Sequence, residues 1–484
     1  MNNSFTLSIE ELQNYYLKKP FLNKMYNYYI NNGYYNIIST QLVFILNNTF
    51  ILIYSLFLFK CVNWKLLLTL TETTELSDIV DMSNLFELSF YNWILMLSFT
   101  FYIFCRIIGL FQDIVKYKYI KYFYNITLEI PDHDIVTLKW ENIISKFNKL
   151  YGNNDINVFY INNKITIKDN YLITIFDKEI IRCDYLTQLM EWNIMYCFIN
   201  PMFDSDFRYK NEFLYMNTEY IKKVKDKTKT VAIVNFIFMP ILLPFLILQN
   251  IFKYGEKFYS KPELLSSRHW TLSAKWKFRN YNELYHEFHD KLLNSTKVAN
   301  DYANQFPIRL LGTFAEMIVF ILSSFFVILV VATIINDGVL LHLYISNNKN
   351  VIWYLGIFAT VIAILRTFIR ERIIYYPDVK LKELTTIINV IDNENIKNKK
   401  HEDYFFNLYQ YHIITLFKDI YYTVMTPFHL YELTFNINII LPYLAEITVN
   451  NAHIGHTNRF ALFEQSDIKS YLSKETFHIN NVDY

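Results

Sequence analysis

The sequence predicts a mainly α membrane protein, with four transmembrane helices, two re-entrant helical hairpins and small α/β cytosolic parts. Three observations lead there. The 484-residue chain is 53% hydrophobic and 19% charged, against about 25% charged in an average soluble domain. Four apolar stretches are long enough to cross a hydrocarbon core of about 30 Å as helix. Basic residues crowd one side of each apolar hairpin, the asymmetry that sets orientation in a membrane.

The elements follow in order. A short N-terminus, 1–36, is expected to be cytosolic; its first 30 residues lack the apolar run of a cleavable signal. Span one is 37–59 and span two is 91–112, together a hairpin over 37–112. Lys18, Lys19 and Lys24 precede it, and Arg106, Lys116, Lys118 and Lys121 close it. The loop 61–90 between them carries Glu72, Glu75, Asp78, Asp81 and Glu87 and reads as lumenal. Residues 113–230 form a cytosolic block, 231–252 a re-entrant hairpin and 253–311 a second cytosolic block. Spans three (312–335) and four (351–369) make the hairpin 312–369 with a lumenal loop 336–350. Arg309 precedes this hairpin, and Arg366, Arg370 and Arg372 close it. A cytosolic loop 370–410, a second re-entrant segment 411–447 and a cytosolic C-terminus 448–484 complete the chain.

The stretch 231–252 is long enough to span, and parity argues against it. Span two ends inside and span three starts inside, so an even number of crossings must lie between. Lys222, Lys223, Lys225, Lys227 and Lys229 precede the stretch, and Lys253, Lys257 and Lys261 follow it. Pro240 and Pro244 each remove a backbone N–H, so a kink or break is expected near 236–244. The competing reading is a kinked full span. In 411–447, Lys418, Asp419, Pro427, His429, Glu432 and Pro442 interrupt the apolar pattern. Each central charge costs about 3 kcal/mol on insertion scales, which disfavours a clean span.

Within the polar blocks, apolar residues at 140, 143, 144, 147 and 150 predict a helix over 139–150. The 155–177 stretch alternates and reads as strands, with Asn162-Asn163 as a turn. The run 389–403 reads as a polar loop.

Several functions are excluded by pattern. The eight glycines are too scattered for a Walker A, Rossmann or nucleophile-elbow motif, so no nucleotide-driven or hydrolase chemistry is expected and the protein is read as no enzyme. Net charge is +1, which gives no electrostatic case for nucleic acid. The four cysteines, Cys61, Cys105, Cys183 and Cys197, are far apart, against a disulfide framework or zinc ribbon. His453 and His456 form an HxxH, and His286-Glu287-Phe288-His289 falls short of HExxH; no metal and no cofactor is expected. Asn47-Asn48-Thr49, Asn125-Ile126-Thr127 and Asn294-Ser295-Thr296 are glycosylation sequons expected to be silent, in a span or on the cytosolic side.

The segment 254–292, YGEKFYSKPELLSSRHWTLSAKWKFRNYNELYHEFHDKL, resembles the autophagy-related protein 9 family. Its match to that family's pattern includes Arg268, Trp270, Trp276, Arg279, Asn282, Glu283 and His286. LTQLMEWNIMYCFINPMFD (186–204), which contains Glu191, Trp192 and Asn193, DNYLITIFDK (169–178), LYQYHIITLFKDIYYTVMTPF (408–428) and VNNAHIGHTNRFALFEQSDI (449–468) are similar to further family segments in the same order. The resemblance covers roughly 15–468. It implies a homotrimer of interlocked protomers, four transmembrane helices and two hairpins that enter only the cytosolic leaflet. It also implies energy-independent phospholipid scrambling during autophagosome formation. Implied partners are phospholipids and a bridge-type lipid-transfer protein. The implied locations are cytoplasmic vesicles, Golgi and endosomal membranes and the phagophore membrane. The family's long cytosolic tails are not matched, so recruitment through them is not expected. A basic–basic–acidic triplet of some members falls on Tyr259, Ser260 and Lys261, where that charge pattern is largely lost.

Scrambling needs a polar track through apolar lipid, so polar residues in apolar segments are the candidates. Arg366 reads equally as a phosphate contact and as a snorkelling side chain. Arg106 joins it. Glu316 lines a cavity or pairs with Arg309, pairing being favoured. Asn47 and Asn48 wet a pore or bond between helices, the latter favoured. Lys222 and Lys223 attract anionic headgroups or form a solvated flank. The matched motif residues are expected to pack the cytosolic part around the trimer. An ion or solute channel, and a scaffold that recruits autophagy factors, are the competing functions.

Overall fold

The computed structural model describes residues 18–69, 75–82, 90–151, 158–181, 185–204, 207–260, 267–306, 309–346, 349–366, 369, 376–388, 401–451 and 455–462. In chain order the main helices are α1 (Lys19–Ile30), α2 (Tyr34–Leu56), α3 (Phe90–Tyr122), α4 (Trp140–Tyr151), α5 (Val158–Asp177), α6 (Gln188–Ile194), α7 (Thr218–Ser260), α8 (Leu272–Phe278), α9 (Tyr285–Asn304), α10 (Arg309–Ile335), α11 (Val351–Arg366), α12 (Pro377–Ile387), α13 (His401–Leu408) and α14 (His412–Glu446). The strands β1 (Arg268–Trp270), β2 (Tyr344–Ser346), β3 (Lys349–Asn350), β4 (Tyr409–Tyr411), β5 (Thr448–Asn451) and β6 (Gly455–Asn458) pair antiparallel as β1–β4, β2–β3 and β5–β6.

Among the described residues, Tyr34–Cys61, Met96–Thr127 and Gly312–Ile335 are helices long and apolar enough to cross a membrane. Of the fourth expected span, 351–369, α11 covers Val351–Arg366, 16 residues and about 24 Å of helix, and 367–368 lie outside the described residues. α2 packs along α3, and α10 along α11. Large apolar side chains stand outward on these helices, among them Phe50, Phe101, Phe320 and Ile328. A surface of that kind needs lipid or a partner to cover it.

α7 and α14 correct the expected breaks. Each is one helical element, of 43 and 35 residues, carrying Pro240 and Pro244, or Pro427 and Pro442, in its interior. A proline costs its own backbone bond, and the ladder resumes on either side. The two helices pack along each other antiparallel. Tyr220, Val224 and Ala232 near the start of α7 share a hydrophobic cluster with Leu430, Leu433, Ile437, Ile440, Leu441 and Leu444 of α14. At the opposite end, seven residues beyond α7, the Ser267 carbonyl accepts a bond of 3.1 Å from His412 N, which begins α14. The start of α7 and both ends of α14 are thus joined to the polar body.

That body holds three hydrophobic clusters. One lies among α5, α6, the start of α7 and the end of α14. A second joins α1, the base of α3 and α4. The third surrounds the β1–β4 pair with α8, α9, α12 and α13. The expected helix over 139–150 is present as α4. The expected strands over 155–177 are absent: 158–177 is the helix α5, and 152–157 lie outside the described residues. α5 is buried around its circumference, so its apolar residues fill successive positions and mask the helical period. The expected loop 389–403 is helical from His401, and 389–400 lie outside the described residues.

Candidate functional site

Residues 276–291 draw distant parts of the chain together. Asn282 has φ +59°, in the left-handed region that asparagine tolerates. Its Nδ2 donates to the Ala461 carbonyl at 2.7 Å, and its Oδ1 accepts from Asn163 Nδ2 at 3.0 Å and from Asn170 Nδ2 at 2.9 Å. Its backbone N–H donates to Asn170 Oδ1 at 2.9 Å. Thr457 Oγ1 donates to Asn163 Oδ1, and Asn458 Nδ2 donates to Thr174 Oγ1. The network ties α5, the turn before α9 and β6 into one unit, and its internal partners offset the cost of burying amides.

Charged groups extend the unit. Arg279 meets Asp169 at 2.8 Å, donates to the Glu283 carbonyl at 3.3 Å and lies by the rings of Trp276 and Phe288. Buried Glu283 takes two bonds from Lys291, at 2.8 and 3.0 Å, and one from Asn280 N at 2.7 Å. Burial pushes the Glu191 carboxyl above its ordinary range, although the Trp276 side chain hydrogen-bonds it. His286 Nδ1 lies 2.9 Å from Tyr26 OH, which ties α9 to α1. Trp270 donates its indole N–H to Ser295 Oγ at 3.1 Å and packs against Phe278 and Tyr409.

Two motif residues behave differently. Asn193 is fully buried, and neither of its amide atoms has a hydrogen-bond partner. Trp192 is 58% exposed and stacks on Tyr196 at 5.1 Å, while Lys227 Nζ sits 3.7 Å over the Tyr196 ring. An exposed aromatic stack with a cation, one turn before the apolar run of α7, is the composition of a membrane-interface anchor.

On the β1–β4 pair, Arg268 lies between the Phe406 and Tyr411 rings, 4.2 and 4.3 Å from their centroids, and donates to Tyr411 OH at 2.9 Å. His269 stacks on His412 at 3.8 Å. Burial, with His412 and Lys275 nearby, lowers the His269 imidazole to about 3. It is neutral at physiological pH.

The polar residues of the apolar helices are spread out rather than gathered in one cleft. Arg106 on α3 is exposed and packs over the rings of Phe44, at 4.8 Å, and Tyr102, at 5.9 Å. Gln41 Nε2 donates to Asp113 Oδ2 at 3.0 Å, a cross-link between α2 and α3. Asn48 is buried and donates to the Phe44 carbonyl of its own helix at 2.7 Å, while Asn47 is exposed. Back-bonding of this kind is how a helix in apolar surroundings satisfies a short polar side chain. Glu316 on α10 and Arg366 at the end of α11 are both exposed. The Arg309 side chain proposed to pair with Glu316 lies outside the described residues. Lys222 is exposed, and Lys223 is exposed and pairs with Glu219 at 3.1 Å.

Asn163, Asn170, Thr457 and Asn458 are missing from the candidates read in the sequence. A signal for two of them was present: Asn163, Thr166, Asn170 and Thr174 recur at helical spacing, so a polar stripe carries the period of α5.

Comparison with known proteins agrees with this architecture. Residues 13–464 match the family described as Autophagy protein ATG9. Autophagy-related protein 9 of Kluyveromyces lactis is 28% identical over 478 residues, which cover 93% of this chain and 52% of that protein. Autophagy-related protein 9 of Schizosaccharomyces pombe is 27% identical over 479 residues, covering 92% of this chain and 67% of that protein. The chain thus spans about half the length of the Kluyveromyces relative. The cryo-EM structure of Schizosaccharomyces pombe Atg9 superposes with a TM-score of 0.70 at 26% identity, covering 92% of this chain and 98% of that one. With its apolar helices set on a polar body knit by the 254–292 motif, the chain belongs to the Atg9 family of autophagy proteins.

Proposed function

We propose that this chain is an energy-independent phospholipid scramblase that moves lipids between leaflets as autophagosome membranes form and expand. The observation that carries the reading is the antiparallel pair α7 and α14. The start of α7 and both ends of α14 are tied to the polar body, and the two helices present large apolar side chains between, such as Phe236, Ile237, Phe417 and Phe435. A pair anchored on one side inserts into one leaflet and leaves it again. That wedge displaces lipid on the cytosolic side only and thins the barrier a headgroup must cross.

Arg106, Glu316 and Arg366 then offer polar stops along helices that otherwise face lipid. A headgroup passes from one to the next while its tails stay in hydrocarbon, and the gradient of lipid itself supplies the direction. The α10–α11 hairpin packs chiefly on itself. A second copy of the chain is the natural cover for such a hairpin, which supports a homotrimer with interlocked protomers. A bridge-type lipid-transfer protein is the partner that would deliver lipid to one leaflet and so require redistribution. The setting is a multi-pass protein of cytoplasmic vesicles, Golgi and endosomal membranes and the phagophore. Reconstitution distinguishes the alternatives. Exchange of fluorescent lipid between leaflets supports the scramblase, ion flux without lipid exchange supports a channel, and neither leaves a scaffold.

A further inference from the structure

A second basic site lies in the polar body, where α1 crosses α5. Lys19, at the first position of α1, is 6% exposed. Its Nζ sits 5.3 Å from the centre of the Phe207 ring, and Lys168 Nζ sits 4.7 Å from the centre of the same ring. Two ammonium groups thus converge on one aromatic ring. Lys168 also donates to Asn200 Oδ1 at 2.7 Å. Lys164, one helical turn before Lys168, lies 5.5 Å over Tyr160, and its charge acts on Lys19.

The charge balance is uneven. Among the described residues, Asp169 is the carboxylate that attracts these lysines, and Arg279 already holds it at 2.8 Å. Among the described residues, Lys19, Lys164 and Lys168 therefore have no carboxylate of their own. Burial lowers all three, Lys19 to about 7. Gathering partly buried lysines without counter-charge opposes folding. The backbone accepts a further cost at the ring they share: Phe207 has φ +59°, beside an Arg208 N that donates to Asp204 Oδ1 at 2.8 Å. An incoming multivalent anion would relieve the mutual repulsion of the lysines, and lysine is a point-charge binder of phosphate.

We propose that Lys19, Lys164 and Lys168, with Asn200 as a neutral partner, form a binding site for a phosphomonoester or diphosphate dianion. The site is separate from the polar residues of the apolar helices and does not rest on the scramblase reading. A phosphorylated lipid headgroup and a soluble phosphate compound share this chemistry, so the test has two arms.

In the first arm, calorimetry on the full chain in detergent uses pyrophosphate as the probe. The wild-type chain is expected to bind, and Lys164→Gln/Lys168→Gln to lose about tenfold or more in affinity, equivalent to 1.4 kcal/mol. In the second arm, the chain in nanodiscs of phosphatidylcholine is compared with nanodiscs containing phosphatidylinositol 4-phosphate, with amine acetylation of the half-buried Lys164 and Lys168 read by mass spectrometry. Protection by the phosphorylated lipid that Lys19→Met abolishes assigns the site to a headgroup. Protection by added pyrophosphate alone assigns it to a soluble phosphate. Lys19→Met checks folding, because it keeps the buried stem and is expected to unfold no earlier than wild type while binding pyrophosphate more weakly. No heat of binding and no protection in either arm, or equal binding by the double variant, overturns the proposal.

Discussion

The rings of Phe236 and Phe428 meet edge to face, 5.9 Å apart at 80°. They come from the middle of α7 and the middle of α14, so this contact fixes how the two proline-bearing helices lie against each other. Edge-to-face pairs of this kind add roughly 1 kcal/mol beyond burial. The start of α7 and both ends of α14 are held by the polar body, and the middles of the two helices meet each other.

That arrangement predicts the sidedness of α7. Single cysteines introduced as Lys229→Cys and Lys253→Cys, before and after its apolar run, are expected to react with an impermeant thiol reagent from the same side of sealed vesicles. Reaction from opposite sides would mean that α7 crosses the bilayer.

Asn282 combines a special backbone with a special side chain. Asn282→Gly keeps the left-handed backbone without strain but strands the donors of Asn163 and Asn170, a loss of roughly 2–4 kcal/mol. Asn282→Ala loses the same bonds and adds about 1 kcal/mol for the left-handed conformation. Thermal unfolding should therefore rank wild type above glycine above alanine. Alanine equal to or better than glycine would show that the backbone at Asn282 is not constrained.

Lys19 makes stability depend on pH in a set direction. Its folded value is about 7 against an ordinary 10.5, through burial first, with Lys168 and Lys164 repelling and Asp169 attracting. Between those values the unfolded chain holds more protons, so stability rises with pH through that window. The penalty is complete below the folded value. Lys19→Met removes it and should stabilise by several kcal/mol, on the order of 3 at neutral pH, fading toward pH 10. Melting temperatures of the two proteins across that range check the trend; a gain that grows with pH would contradict it.

The exposed Arg366 is the last residue described in α11. Arg366→Gln is expected to slow lipid exchange several-fold while changing stability by less than about 0.5 kcal/mol, since a surface side chain packs little. Unchanged exchange would reduce Arg366 to a snorkelling anchor.

What could be read from the sequence follows physical rules. α2, α3 and α10 were legible because lipid-facing helices are apolar over their whole length, and α4 because one face is solvated. α5 was not, because Ile161, Ile167, Tyr171, Leu172, Ile175 and Phe176 are buried on several sides and imitate strand alternation. The prolines of α7 correctly marked an unusual helix but not its continuity, since neighbouring helices hold a proline-bearing helix together. The 254–292 motif was legible by its resemblance, but its role as a hub depends on partners more than 100 residues away, such as Asn163 and Ala461 for Asn282. Local spacing carries no trace of such pairings. The lysines over Phe207 were equally hidden, being 149 residues apart for Lys19 and Lys168 in a chain rich in lysine.

The most direct measurement is lipid exchange by the purified full chain in liposomes that carry a dithionite-bleachable headgroup label and no ATP. The wedge formed by α7 and α14 predicts that inner-leaflet label becomes bleachable in every vesicle that contains protein, at a rate that Ile237→Asp, at an exposed position of α7, reduces. Persistence of a protected inner-leaflet pool in protein-bearing vesicles, with the wild-type chain folded, would contradict the account.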